Sequence, residues 1–331
     1  MTAAPEIFRA PSATYAADTC VPLKAAADSG AVELAAFSRG AYPGERLPGG
    51  TLPGLRSAGT WNASDDQDWG LDWHRNEGLE LTYLARGRLE FACDGEQHRL
   101  EPGDLTITRP WQPHRVGAPH VTASRLTWLI VDLDVRRPNQ TWRWPDWVLV
   151  PPQELAGLTR RLRQNEQPVW RAGPDVARIF DRLAAALERR APRDVTRVAL
   201  LTNEILLAVE ELLDAADPPL DAALSSSRRA VELFLADLPD RLGEPWTLDA
   251  MAAECGLGRS RFVFYCRRLT NSSPQEYLLR ARLRAARDQL ADRDLRITDI
   301  ALGCGFHSSQ YFATVFKREL GCSPSEYRAG S

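Results

Sequence analysis

One helical design is written twice between Trp246 and Arg328, and that repetition restricts the fold of the C-terminal third more than any other feature. The first copy reads Trp246-Thr-Leu-Asp-Ala-Met-Ala-Ala-Glu-Cys-Gly-Leu257, runs on to Arg267-Arg268 and closes on Ser273-Pro-Gln-Glu-Tyr277. The second reads Arg296-Ile-Thr-Asp-Ile-Ala-Leu-Gly-Cys-Gly-Phe306, then Tyr311-Phe-Ala-Thr-Val-Phe-Lys-Arg318, and closes on Ser323-Pro-Ser-Glu-Tyr327. Cys255-Gly256 recurs as Cys304-Gly305 at an offset of 49, whereas Phe262 recurs as Phe312 and Ser273-Pro274 as Ser323-Pro324 at 50. The second copy therefore carries one more residue between its glycine and its next helix. A fixed repeat identifies the unit of architecture.

Each copy opens with a short helix whose apolar positions are Leu248, Met251, Ala252 and Cys255, or Ile297, Ile300, Ala301 and Cys304. The alanines let a second helix approach closely. Gly256 and Gly305 follow the helix end, where a left-handed residue turns the chain. The second helix is expected to bury Phe262 and Cys266, or Phe312 and Phe316, which makes each copy a helix-turn-helix. In Ser273-Pro-Gln-Glu276 and Ser323-Pro-Ser-Glu326 the serine is an N-cap, the proline takes the first helical position and the glutamate completes a capping box. A third helix so begins after each pair. The first of these runs from Tyr277 to about Leu290, with Leu279, Leu283, Ala286 and Leu290 on one face and Arg280, Arg282, Arg284 and Arg287 elsewhere. It spans about 21 Å at 1.5 Å per residue. With the flanking units added, that length suits two recognition helices roughly one DNA turn, about 34 Å, apart.

Charge divides with the same boundary. Residues 1–222 hold 25 Lys and Arg against 31 Asp and Glu, a balance of −6, and residues 223–331 hold 16 against 13, a balance of +3. The repeated segment is the basic part of a mildly acidic protein, which fits a polyanionic partner. The six cysteines contain no CxxC pair, and Cys255 and Cys304 sit on apolar positions, so buried thiols are expected in place of a zinc or disulfide framework. Met1-Thr-Ala-Ala-Pro-Glu6 lacks the basic and apolar regions of a signal peptide, and no apolar run approaches membrane-spanning length. The expected location is the cytoplasm, with no membrane partner.

The N-terminal half reads as a β-rich unit. Beyond a short strand near 32–37, the first seventy residues show mainly turn signals at Tyr42-Pro-Gly and Leu47-Pro-Gly-Gly. From Leu71 onward Leu79, Leu81 and Tyr83 alternate with polar residues, Arg88–Cys93 makes a second strand, Asp94-Gly95 a hairpin turn, and 97–100, 105–108 and 122–134 further strands. Short strands at this spacing with Gly and Pro punctuation suggest a closed or sandwiched all-β unit. Tryptophan gathers at Trp61, Trp69, Trp73 and Trp111, then at Trp142, Trp144 and Trp147. Such faces suit stacking on a sugar ring or a flat apolar ligand, or else close the barrel ends and pack the exit from the domain. In the middle, Val176, Ile179, Phe180, Leu183, Ala184 and Leu187 form one apolar helical stripe. Val198, Leu201, Ile205, Leu212 and Leu213 form a second, and Asp217-Pro-Pro219 ends it. These stripes pack either on the barrel or against a second subunit, so a homodimer is among the expected partners.

Two family resemblances attach to these residues. His74-Arg-Asn-Glu-Gly-Leu-Glu80 with Gly87, and Pro102-Gly-Asp104 through Pro113-His114, resemble the two cupin motifs. The resemblance places His74, Glu80 and His114 at metal-ligand positions, but Asn76 stands where the second histidine of His-x-His would be, and no metal or other cofactor is expected. Ile297-Thr-x-Ile-Ala-x-x-x-Gly-Phe306, Tyr311-Phe312, Phe316-Lys317-Arg318 and Gly321-x-Ser-Pro324 occur in the order seen in AraC/XylS transcriptional regulators, so the segment resembles that family's DNA-binding domain. A cupin-like ligand domain is that family's common N-terminal partner. The implied chain is α+β in two domains: a cupin-like β-barrel at 1–150 that binds an effector, a helical linker at 151–222 and an all-α double helix-turn-helix at 223–331. The implied function is sequence-specific DNA binding under the control of a small molecule such as a sugar, with RNA polymerase a further partner if the protein activates.

The recognition helices are expected at about 259–269 and 308–320. Arg259, Ser260, Arg261 and Phe264 in the first, and Ser309, Gln310 and Thr314 in the second, would face base edges, since Arg and Gln pair bidentately with guanine and adenine, and Ser308 is a further expected DNA contact. Arg267, Arg268, Lys317 and Arg318 suit phosphates, which set register without reading sequence. Val263 and Phe264 depart from a polar reading face, so the first unit either reads thymine methyls or contributes less specificity. His74, Asn76, Glu80, Trp111 and His114 are the expected effector contacts. Two other classes compete: a metal-dependent cupin enzyme with a helical appendage, and a scaffold whose helix pairs bind only protein. No enzymatic activity is expected on the leading reading.

Overall fold

Strict alternation at Leu79, Leu81 and Tyr83 produces a strand that is buried on both of its faces. The computed structural model describes residues 7–10, 13–16, 20–135, 139–189, 191 and 193–330; the amino-terminal hexapeptide lies outside them. The chain divides into two units, essentially Thr14–Ser225 and Ser226–Ser331.

Ile7–Ala10 (β1) and Ala13–Ala16 (β2) pair as a two-stranded ribbon. The first unit then continues with Val21–Asp28 (α1), Glu33–Ser38 (β3), Glu45–Arg46 (β4), Leu55–Ala63 (β5), Leu71–His74 (β6), Gly78–Arg86 (β7), Leu89–Cys93 (β8), Glu96–Leu100 (β9), Asp104–Thr108 (β10), His114–Val116 (β11) and Ser124–Asp132 (β12). After these come Pro152–Gln164 (α2), Val169–Arg171 (β13), Pro174–Arg189 (α3) and Asp194–Ala216 (α4). Seven strands form one sheet in the order β13-β10-β7-β12-β5-β3-β4, and four form a second in the order β6-β11-β8-β9. The β8–β9 turn places both Asp94 (φ 49°) and Gly95 (φ 91°) in the left-handed region, as a two-residue hairpin of this twist requires.

Two cores divide at the large sheet. Leu79, Leu81 and Tyr83 of β7 pack outward under α3, with Phe180 stacked on Tyr83 at 5.2 Å, and share a core with Leu183 of α3 and with Val198 and Ile205 of α4, which packs on α3. The other core, around Trp61, Leu84, Phe91 and Trp128, fills the space between the sheets. The polar members of the alternation, Glu80 and Thr82, are therefore buried as well. The stripe of α3 packs against the sheet and that of α4 packs on α3 into the same core, so the segment read as a helical linker at 151–222 shares its core with the β unit.

The second unit comprises Ser227–Asp237 (α5), Leu248–Glu254 (α6), Arg259–Thr270 (α7), Pro274–Leu290 (α8), Ile297–Gly303 (α9), Ser309–Leu320 (α10) and Pro324–Gly330 (α11). Each copy of the repeat has its own core, one around Phe234, Met251, Phe262 and Cys266, the other around Ile300, Phe306, Phe312 and Phe316. α8 joins them by giving Leu278 to the first and Leu283, Ala286 and Leu290 to the second. Its N-terminus is the expected capping box: the Ser273 hydroxyl accepts from the Glu276 N–H, and the Glu276 carboxylate accepts from the Ser273 N–H at 2.8 Å. Ser323 and Glu326 repeat the pattern at α11. Gly256 and Gly305 are left-handed, at φ 63° and 84°. Arg282, off the apolar face of α8, is half-buried and its guanidinium donates to the carbonyls of Leu242 (3.1 Å) and Glu244 (2.8 Å). Among the described residues no helix is long and apolar enough to cross a membrane.

Candidate functional site

In the second unit the candidate site is the outer face of α7 and α10. Phe262 of α7 and Phe312 and Phe316 of α10 point inward and are fully buried, and burial of each contributes about 2 kcal/mol toward fixing the helix's rotation. That rotation turns the polar stripe out. Arg259, Ser260, Arg261, Phe264, Arg267 and Arg268 are all exposed on α7, as are Gln310, Thr314, Lys317 and Arg318 on α10, while Ser308 and Ser309 are half-buried.

Several of these side chains already have partners. Arg259 makes a two-pronged ion pair with Asp249 of α6, which holds the arginine's pKa above its usual value and the aspartate's below. Ser308 is the N-cap of α10, accepting from the Tyr311 N–H at 3.2 Å. Thr314 donates to the Gln310 carbonyl at 3.0 Å, and Arg318 to Glu319 at 2.8 Å. Arg268 lies over the Phe264 ring at 5.6 Å. Tyr311 is 45% exposed at the position fifty residues beyond Arg261, with the His307 imidazole against it at 4.3 Å and tilted by 33°. Neither Tyr311 nor His307 was singled out as a contact, although an aromatic at the place of an arginine was the visible signal.

The first unit holds a cavity of about 30 Å³ walled by Tyr42, Trp61, Leu71, His74, Asn76, Glu80, Thr82, Val116, Leu126, Trp128 and Ile130 among others. That is room for a water or two. The apolar end is made by Trp61 and Trp128, whose rings meet at 5.9 Å and whose indole nitrogens donate to Ser124 and Ser57. A Cβ at Gly59 would collide with the Trp128 ring, so the glycine makes room for it.

The polar end is a connected network. Glu80 pairs with His114 at 2.8 Å and accepts from the Asn76 amide at 2.7 Å. Burial pushes the Glu80 carboxyl up, but the adjacent His114, then the His74 charge and the Asn76 amide, outweigh it and hold the group at about 2. The Tyr42 hydroxyl donates to Glu77 at 2.6 Å and lies 3.0 Å from the Asn76 oxygen, and Arg56 links Glu77 (3.1 Å) to Asp132 (2.6 Å). Burial raises both Tyr42 and Glu77 above their ordinary values.

Of the expected effector contacts, His74, Asn76 and Glu80 line this cavity. His114 is fully buried behind them, 4.3 Å from the His74 ring. Trp111 is outside the wall: at φ 63° its indole donates to the Val135 carbonyl at 2.7 Å. Of the tryptophans expected to offer a stacking face, Trp61 is in the wall; Tyr42 and Trp128 were not foreseen there because their loop and strand are brought in from elsewhere in the chain. The donor set does not fit a metal: Asn76 replaces an imidazole, Glu80 is engaged by His114 and Asn76, and among the described residues no group of three His, Cys, Asp or Glu side chains is arranged to hold an ion.

Comparison with known proteins finds the same two parts. A model described as an AraC-like ligand binding domain matches residues 62–209, and one described as a helix-turn-helix domain matches 251–330. The HTH-type transcriptional activator RhaS of Escherichia coli O81 (strain ED1a) is 32% identical over 262 residues, 78% of this chain and 87% of that protein. Among solved structures, the DNA-binding domain of AdpA in complex with a target DNA is 31% identical over 30% of this chain and 91% of that one, with a TM-score of 0.30. ToxT from Vibrio cholerae is 11% identical over 82% of this chain and 97% of its own, with a TM-score of 0.34. Scores of that size carry no weight for the fold.

Proposed function

The chain belongs to the AraC family of transcriptional regulators, and from that premise we propose that α7 and α10 read an operator in successive major grooves while a small molecule in the first unit's cavity sets the affinity for it. The observation that carries the reading is the doubled helix pair with outward Arg261, Arg267, Arg268, Gln310, Lys317 and Arg318, joined by the 17-residue α8. That helix is about 25 Å long at 1.5 Å per residue. Arg267, Arg268, Lys317 and Arg318 take the phosphate contacts. Arg261 and Gln310 take base edges, together with Ser260, Ser309 and Thr314; Arg259 joins them only by leaving Asp249, and Ser308 serves as a cap.

The effector meets Trp61 and Trp128 at one end and Asn76, Glu80 and Tyr42 at the other, a combination suited to a compact polyhydroxylated ligand with one apolar face. A cavity of about 30 Å³ admits such a molecule only when the wall moves, and the Tyr42–Pro43 segment is the element held there by side-chain hydrogen bonds. Coupling of this kind changes DNA affinity by roughly 5- to 150-fold. Because RhaS is named an activator, activation with RNA polymerase as a protein partner is carried over as part of the proposal, with a homodimer working in the cytoplasm and without catalysis.

The test is selection of duplexes from a random pool by the full chain at moderate salt. Enrichment of defined sequences is expected, and Arg267→Ala or Lys317→Ala should each lower the salt dependence of binding by about one unit of slope. A pool that yields no preferred sequence, or charge reversal at both positions without effect, would overturn the reading.

A further inference from the structure

Phe264 is 52% exposed in the middle of α7, although Phe262 and Cys266 already supply that helix's core contacts. The ring is braced on two sides. Tyr265 packs edge-on against it at 5.2 Å and 75°, and the Arg268 guanidinium lies over it at 5.6 Å. It is thus held outward, one turn from Arg261 and Arg268 on a stripe that is otherwise basic. Fifty residues further on, the equivalent place in α10 is the hydroxyl-bearing Thr314. The leading arginine of α7 is engaged by Asp249, which leaves the first helix fewer free hydrogen-bonding readers than its length suggests.

A large apolar ring among cations has one fitting counterpart on a duplex. In the major groove the bases present donors, acceptors and a single kind of apolar group, the thymine C5-methyl; cytosine presents only hydrogen at that carbon. We propose that Phe264 is the specificity-determining residue of the first helix-turn-helix, packing on a thymine methyl. Arg268, steadied on the ring's face, is thereby placed at the flanking backbone. This rests on α7 entering the groove, as argued above. The two copies then read by different means: the first by apolar contact, the second by hydrogen bonds through Gln310 and Thr314.

The experiment replaces thymine by deoxyuridine, one position at a time, in a duplex selected by the full chain. The exchange removes a methyl and leaves every hydrogen-bonding group in place. Burying one such carbon is expected to be worth about a fourfold change in affinity. The wild-type chain should lose about that factor at one or two positions of a single half-site, Phe264→Ala should bind the thymine duplex more weakly and be indifferent to the exchange, and Phe264→Leu should keep part of the discrimination. Thermal unfolding of the variants should match the wild type, since the ring is outside the core. An equal deoxyuridine penalty in wild type and Phe264→Ala would overturn the proposal. So would unchanged DNA affinity in Phe264→Ala with lost transcription, which would assign the ring to a protein partner. Selection of a defined sequence without thymine sensitivity sinks this inference alone; failure to select any sequence sinks the DNA reading with it.

Discussion

Gly305 and Gly303 lie two residues apart and answer opposite demands. Gly305 sits at φ 84°, and a Cβ there would collide with the Leu242 carbonyl and the Arg282 guanidinium that donates to it. Gly303 ends α9 with open space around it and a φ outside the left-handed region. Gly305→Ala should destabilise the second unit by about 1–3 kcal/mol, and Gly303→Ala should be neutral or stabilise it by roughly 0.5 kcal/mol, in denaturant titrations of the full chain. Equal effects would show that the turn tolerates a side chain. The glycine was legible because a repeat places it after a helix. The arginine packed against it was not, because helical spacing gives a face and not the carbonyls waiting forty residues away. The same limit explains Trp111. It lies within the second cupin-like motif in sequence, yet its own left-handed backbone turns its ring to Val135 and out of the cavity.

At the level of elements, caps and periods were readable and partners were not. Ser273 and Ser323 announce helices through bonds that reach only three residues, so their geometry follows from local chemistry alone. α2 buries Leu158 and Leu162 but is otherwise mostly charged and polar, and β13 is three residues long and exists through pairing with β10, as Trp170 opposite Leu105; neither carries a strong local signal. The stripe of α4 was visible, but not that α3 would cover it. The start of α4 also depends on a buried carboxylate. Asp194 is fully buried, accepts from the Ala191 N–H at 2.6 Å, and meets Arg189 and Arg197 at 3.1 Å each. Burial pushes its pKa up, but the Ala191 N–H and the two guanidiniums outweigh it and hold the group below the ordinary value of 3.8. A carboxyl depressed in the folded state contributes stability above its unfolded pKa and loses it as pH falls toward the folded one. The unfolding temperature of the wild type should therefore drop more steeply below about pH 4 than that of Asp194→Asn. Parallel profiles would remove the carboxylate from the account.

For the molecule as a whole, the unresolved alternative of the sequence was whether the helical stripes meet the barrel or a second subunit. They join the core of the sheet, α3 on its face and α4 on α3, yet α4 keeps a second, narrower surface. Leu200 is 56% and Leu207 42% exposed, two turns apart on its outer face, with Arg197 beyond one and Glu211 beyond the other. Two copies of α4 set antiparallel across a two-fold axis midway between the leucines would cover all four leucines and bring each Arg197 near the partner copy's Glu211. Self-complementarity of this kind is what a two-fold interface needs. It also matters for function, because tethering a second DNA-binding unit raises overall affinity by roughly 10²- to 10⁴-fold without new contacts. The full chain is expected to sediment as a dimer at micromolar concentration. Leu200→Arg with Leu207→Arg should convert it to a monomer that unfolds at the same temperature as the wild type and binds a paired operator about as weakly as a single half-site. A wild type that is monomeric throughout, or a double variant that remains dimeric, would move the interface elsewhere. A double variant that is monomeric yet keeps full operator affinity would show instead that one chain, with its two unequal readers on α8, suffices for the whole site.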